Sequence, residues 1–258
     1  MFRRSHWTGK YGQILKNRGR VAGGPFAGMA YVSESVGSQF WPKIFGTYEC
    51  ELWPVFQRLF TMPFNRIVDV GAAEGFYAVG AAVKWPGAEV IAFESEQHGR
   101  DLLGKMARMN AVSDRLRVEG ECTPEILSAV LSTHDRSPTL CIMDVEGAEA
   151  DLCNPDRIPA LARCHLIVET HEFQQPGITR LLEDRFATTH LVEPILPRPR
   201  TLCDFRDSVP FPIRQLLGQS LVYVVDEWRH ADCSWLLIQP RELASPKTDP
   251  RKQEVKAG

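Results

Sequence analysis

From Arg66 onward, short apolar runs alternate with stretches whose apolar residues recur every three or four positions, a pattern that predicts strands alternating with helices. RIVDV, EVIAF, LRVE, TLCIM and HLIVE read as five buried strands. Between them, FYAVGAAVKW reads as a helix stopped by Pro86 and Gly87, and QHGRDLLGKMARMN as one with Leu102, Leu103, Met106 and Met109 at helical spacing. TPEILSAVLS follows, with Thr123 placed to cap it and Pro124 suited to its first position. A helix of roughly two turns with proline-bounded pieces is expected between the fourth and fifth strands. ITRLLEDRF is a further helix, TTHLV a sixth strand and SWLLI a seventh. Strands that are apolar at successive positions are covered on both faces. The fold class predicted is therefore α/β: a Rossmann-like, doubly wound, mostly parallel sheet with helices on both faces.

The flanks are less regular. Residues 1–46 are glycine-rich and weakly periodic, and read as an irregular extension with one short strand at Met29–Val32. Thr47 is placed to cap a helix running to Phe60, kinked or divided by Pro54. The main domain is expected over 47–240, with the proline-rich stretch 194–232 as an inserted loop or subdomain and 241–258 as a disordered tail. The chain shows no internal repeat.

Charge and cysteine usage narrow the function classes. A net charge of −2 argues against broad electrostatic binding to nucleic acid. Residues 1–20 carry Arg3, Arg4, Lys10, Lys16, Arg18 and Arg20 with no acid, which reads most simply as a solvated basic arm, alternatively as a contact for an anion. Seven cysteines without CxxC pairs fit free, packed thiols in a reducing compartment better than disulfides or a zinc site. No run approaches 18 apolar residues and no apolar segment follows the basic N-terminus, so neither a membrane span nor a secretory signal is expected, and the location expected is cytoplasmic.

The candidate chemistry gathers at strand ends. VDVGAAEGF joins the first strand to the first helix, the context in which a glycine turn approaches a nucleotide. Dinucleotide folds place a second glycine there for the pyrophosphate, whereas this loop has Ala72 and Ala73. A phosphate-free ligand tolerates those Cβ atoms, and Asp69 can help to place an ammonium. Glu94, about 20 residues past the loop, can accept hydrogen bonds from both hydroxyls of a ribose. The third strand ends in VEGECT, putting Gly120, Glu121 and Cys122 beside an adenine. The cofactor shell expected is Asp69, Gly71, Ala72, Ala73, Glu74, Gly75, Glu94, Ser95, Glu121, Cys122 and Asp144.

CIMDVEGAEADL then sets Asp144, Glu146 and Glu149 at the carboxyl edge of the sheet; Glu149 is explained by its helix N-terminus, the other two are not. HLIVETHE brings Glu169, His171 and Glu172 to the next strand end. His171 or Glu169 suits removal of a hydroxyl proton, with Asp144 or Glu146 placing the substrate. Asp144, Glu146, Glu169 and His171 are also a workable set for a divalent cation, but their spacing is not diagnostic and no metal is expected. His165, before an apolar run, reads as a packing residue.

With these segments in place, the chain resembles the FkbM-type family of class I S-adenosylmethionine-dependent methyltransferases. The resemblance is carried by VDVGAAEGFYAVG (Val68–Gly80), IAFES (Ile91–Ser95), MDVEGAE (Met143–Glu149) and LIVETHE (Leu166–Glu172), of which MDVEGAE is the specific one. It implies a seven-stranded sheet with the last strand antiparallel, S-adenosylmethionine as cofactor, and O-methylation of a sugar or natural-product hydroxyl. By position, Asp69, Gly71, Gly75 and Glu94 look like the cofactor shell, closed by Asp144. Ala73 departs from the broad class, where glycine is frequent. The N-terminal segment with Tyr48, Glu49 and Trp53 lies outside the shared core and reads as a lid over a small-molecule or carbohydrate acceptor, or as a packed strap. The alternatives are a nicotinamide-dependent oxidoreductase and a protein that binds S-adenosylmethionine without turnover.

Overall fold

All seven expected strands are present and lie in one sheet in the computed structural model, which describes residues 2–133, 138–229 and 232–241. They are β1 (Arg66–Val70), β2 (Glu89–Phe93), β3 (Leu116–Glu119), β4 (Thr139–Met143), β5 (His165–His171), β6 (His190–Ile195) and β7 (Cys233–Pro240). Their order across the sheet is β3-β2-β1-β4-β5-β7-β6. The first five run parallel, and β7 is antiparallel to both β5 and β6.

The helices are α1 (Phe2–Arg18), α2 (Phe40–Phe45), α3 (Trp53–Leu59), α4 (Phe76–Lys84), α5 (Gln97–Met109), α6 (Pro124–Ser132), α7 (Glu149–Leu152), α8 (Ile178–Phe186), α9 (Phe211–Leu217) and α10 (Gln219–Val224). In β1, β2, β4, β5 and β7 successive side chains enter opposite cores, which is why these strands read as largely apolar runs, whereas the edge strands β3 and β6 are partly exposed. Ile67, Val90, Leu140, Ile142 and Ile167 join one core with Leu103 and Met106 of α5 and Phe45 and Phe56 of α2 and α3. Val68, Ile91, Cys141, Met143 and Val168 join the other with Leu127 of α6 and Leu182 and Phe186 of α8. Thr123 caps α6 as expected, accepting the Ile126 N–H at 3.3 Å. No helix among the described residues is long and apolar enough to cross a membrane.

The flanks depart from expectation. The N-terminal extension is not irregular: α1 packs on α9 and α10, with Leu15 buried and Thr8 Oγ1 2.7 Å from Ser220 Oγ. Gly9 and Gly12 dilute its periodicity, so the helix depends on tertiary packing rather than propensity. The strand expected at Met29–Val32 is a single antiparallel bridge, Arg20 with Ala30. Thr47 caps no helix; its hydroxyl turns back to the Pro42 carbonyl, and a 3₁₀ turn at Cys50–Leu52 leads into α3. Pro54 sits in the first turn of α3, where it starts a helix instead of dividing one. Between β4 and β5 the expected helix is the single turn of α7 plus a 3₁₀ segment, Pro159–Arg163. The stretch after β6 holds a 3₁₀ turn at Leu202–Phe205 with α9 and α10. Apart from Arg241, the tail expected at 241–258 lies outside the described residues.

Candidate active site

Strand order reverses at β1, with β2 and β3 on one side and β4 and β5 on the other, so a crevice opens beyond the carboxyl ends of β1 and β4. Gly71 turns the chain there at φ +83, and a Cβ on it would lie 1.8 Å from the Asp144 carbonyl oxygen. Only glycine lets the loop pass the end of β4 at that distance.

The crevice is a cleft of about 410 Å³. Gly71, Ala72 and Ala73 form one wall; Glu94, Ser95 and Glu96 follow from β2, and Gly120, Glu121 and Cys122 from β3. Asp144, Val145 and Glu146 close it from β4, opposite Lys43, Tyr48 and Phe76. Glu94 is buried and organises the loop: its carboxylate accepts the N–H groups of Ala73 at 2.7 Å and Glu96 at 2.8 Å. That bond holds Ala73, a non-glycine residue, at φ +47.

Three expected shell residues do not line the cleft. Asp69 lies beneath it, accepting the Ala78 N–H of α4; burial, reinforced by the Asp144 charge, pushes its carboxyl up to about 8. Glu74 points the other way, into a buried cluster with the Lys43 ammonium, the Tyr31 hydroxyl and the Val36 N–H. Burial alone would raise its pKa, but the Lys43 charge beside it holds it below the usual carboxylate value. Gly75 opens α4 at φ +97 and packs against Leu103, so its role is conformational.

A second chamber of about 180 Å³ shares Gly37, Ser38, Tyr48, Asp144 and Glu146 with the cleft. His171, Glu169 and Glu49 face it, as do Glu227 and Arg229. The four expected catalytic residues are thus brought together. His171 Nδ1 is hydrogen-bonded to the buried Glu149, while Nε2 is 3.5 Å from Asp144 Oδ1 and 3.9 Å from Glu169 Oε2. Burial works against the imidazolium, yet Glu149, Asp144 and Glu146 outweigh it and raise the His171 pKa. Burial and the Glu169 charge push Asp144 well above the usual carboxylate range. Glu169 is pushed up to about 7 by burial and by Glu49, against the pull of Arg229.

Several partners were not legible beforehand. Glu149, ascribed to a helix N-terminus, is fully buried as the orienting partner of His171. Arg229 binds Glu169 and, at 2.8 Å, Glu51; Arg200 binds Glu51 at 2.9 Å and Glu227. Glu49 accepts the Tyr77 hydroxyl, and burial pushes its carboxyl up to about 8. These ion pairs join residues as far apart in sequence as Glu51 and Arg229, so no local pattern reveals them. His165 packs edge-on against Phe64, as a packing residue should. Two trios, Asp144–Glu146–His171 and Glu169–His171–Cys233, have ligand atoms within 4.8 Å of one another.

No family model matches the chain, and no curated protein matches it. Solved structures with a related fold are found. One is the O-methyltransferase from Bacillus cereus in complex with SAH, at 13% identity over 55% of this chain and 71% of that one, with a TM-score of 0.44. Another is the O-methyltransferase TomG from Streptomyces achromogenes in complex with SAM, at 14% identity over 55% and 70%, with a TM-score of 0.45. A third is geranyl diphosphate C-methyltransferase from Streptomyces coelicolor, at 15% identity over 78% and 80%, with a TM-score of 0.40. At such distances the functional reading rests on this chain's own residues.

Proposed function

We propose that the chain is an S-adenosylmethionine-dependent methyltransferase of the FkbM type, transferring methyl to a hydroxyl of a small-molecule or carbohydrate acceptor. The observation that carries this is the charge of the cleft. Its described lining residues include five acids, Glu94, Glu96, Glu121, Asp144 and Glu146, against one lysine or arginine, Lys43, which is engaged by Glu74. A pyrophosphate would meet carboxylates with no cation to receive it, which disfavours a nicotinamide dinucleotide. A cofactor bearing a sulfonium and an ammonium, with a ribose and no phosphate, suits the same lining. Bound in this cleft, S-adenosylmethionine supplies an electrophilic methyl group.

The residues divide the remaining tasks. Glu94 retains lone pairs for ribose hydroxyls beyond its two backbone bonds. Glu121 and Cys122 border the adenine end. Asp144 and Glu146, on the wall common to cleft and chamber, orient the acceptor. Glu149 accepts the hydrogen bond from the Nδ1–H of His171, which fixes the tautomer and leaves Nε2 to remove the acceptor's hydroxyl proton. The neighbouring carboxylates then stabilise the imidazolium. A protein that merely bound the cofactor would have no use for this buried pair, and its presence favours an enzyme.

Calorimetry tests the reading. S-adenosylhomocysteine should bind, NAD should give no heat, and Glu94→Ala should weaken binding by about 10–100-fold. NAD binding in place of S-adenosylhomocysteine would overturn it.

A further inference from the structure

The chamber beside the cleft gathers more carboxyl groups than its own cations can balance once they ionise. Five carboxylates line it: Glu49, Asp144, Glu146, Glu169 and Glu227. Arg229 is the one lysine or arginine among its described lining residues, and it is already divided among Glu49, Glu51 and Glu169. The Glu227 side chain is 5% exposed and paired through one oxygen with Arg200, while its buried Oε2 has no hydrogen-bond partner. Three aromatic residues, Tyr48, Phe173 and Trp228, line the same small space. Trp228 is held at φ +53, a conformation that a bulky side chain rarely adopts.

Carboxylates set among aromatic rings are suited to an organic cation. The charge is met by the acids and the apolar surround by ring faces. A divalent metal would use the carboxylates and His171 but gain little from the rings. Resting on the methyltransferase reading, we propose that the acceptor carries a protonated amine, as in an aminosugar or amino alcohol, seated in this chamber among Glu49, Glu169 and Glu227 and the rings of Tyr48, Phe173 and Trp228. The ammonium anchors the acceptor, so that a neighbouring hydroxyl lies toward Asp144 and His171 at the mouth of the cleft. It also supplies the counter-charge that lets those carboxyl groups ionise. Glu49 and Glu169 are pushed up to about 8 and about 7 by burial, and a cation beside them draws both down again. Binding therefore releases protons near neutral pH.

The test is calorimetry on the full chain loaded with S-adenosylhomocysteine, using glucosamine and ethanolamine against N-acetylglucosamine, glucose and ethylene glycol as neutral probes. The amines should bind at least about tenfold more tightly than the neutral probes. Their apparent heats should differ between buffers of different ionisation enthalpy, as proton release requires. Glu227→Gln should reduce the preference, as should Trp228→Leu, whose site is exposed enough to leave folding intact. Equal binding of amines and neutral probes overturns the proposal. So does tight Mn²⁺ binding to the chamber that abolishes any amine preference. The initial S-adenosylhomocysteine titration separates these failures from failure of the methyltransferase reading, since it does not depend on the chamber.

Discussion

The hydrogen bond from His171 Nδ1 to Glu149 determines both which nitrogen accepts a proton and at what pH it can do so. A base works in its neutral form, and His171 has a raised pKa, so kcat/KM should climb with pH through a value above about 6.5. The groups that face the ring are Asp144, Glu146, Glu149 and Glu169, with Cys233 at its side. Glu149→Gln keeps the shape but removes one of those charges. The acid limb should then move to lower pH while the plateau of kcat falls by about 10–100-fold, because orientation is weakened. An unshifted limb in a pH–rate profile would show that His171 is not the base. Gly71 offers a second test at this scale. A Cβ 1.8 Å from the Asp144 carbonyl forces β1 and β4 apart, so Gly71→Ala should cost about 1–3 kcal/mol in chemical denaturation and abolish S-adenosylhomocysteine binding. The motif MDVEGAE made Asp144 and Glu146 legible, and Glu149 does open α7 as expected, but its pairing with His171 was not legible, because an acid at a helix start and a buried partner for a distant histidine look alike in sequence.

Among elements, the inner strands were legible because each enters two apolar cores, α5, α6 and α8 because each packs one apolar stripe on a sheet face, and α4 because it is apolar and buried nearly all round. What failed were α1 and α2, whose folding depends on surfaces far away in the chain. α2 is anchored by Lys43, which reaches the buried Glu74 at the end of the glycine loop together with Tyr31. Glu74 was misassigned for the same reason: its loop fits a cofactor shell, but only the tertiary fold shows the lysine that claims it. Lys43→Met should leave Glu74 buried without its cation and cost about 3–5 kcal/mol at neutral pH. The Glu74 pKa is depressed, so its contribution is complete above its unfolded value of about 4.3 and is lost as pH falls through the folded one. The difference between wild type and variant in urea denaturation should therefore narrow below about pH 4. A difference independent of pH would instead assign the loss to the lysine's apolar stem.

Across the whole molecule, the ion-pair cluster of Glu49, Glu51, Glu169 and Glu227 with Arg200 and Arg229 joins the N-terminal segment, the end of β5 and the insertion after β6 around one chamber. The acids outnumber the cations, and burial raises Glu49 to about 8 and Glu169 to about 7. Between the ordinary glutamate value of about 4.3 and these values the folded chain holds protons that the unfolded chain has released. Stability must then fall as pH rises across that window, by roughly 1 kcal/mol per pH unit for each such group. The ligand-free protein should accordingly melt at a higher temperature near pH 5.5 than near pH 8, opposite in sign to the contribution of Glu74, which lies wholly at lower pH. Glu49→Gln carries no titrating proton at that position, so its melting temperature should decline less over the same interval. Differential scanning calorimetry from pH 5 to pH 8.5 reads both curves. Parallel curves for wild type and Glu49→Gln would mean that Arg229 already keeps Glu49 ionised, and that the chamber is balanced before any ligand enters it.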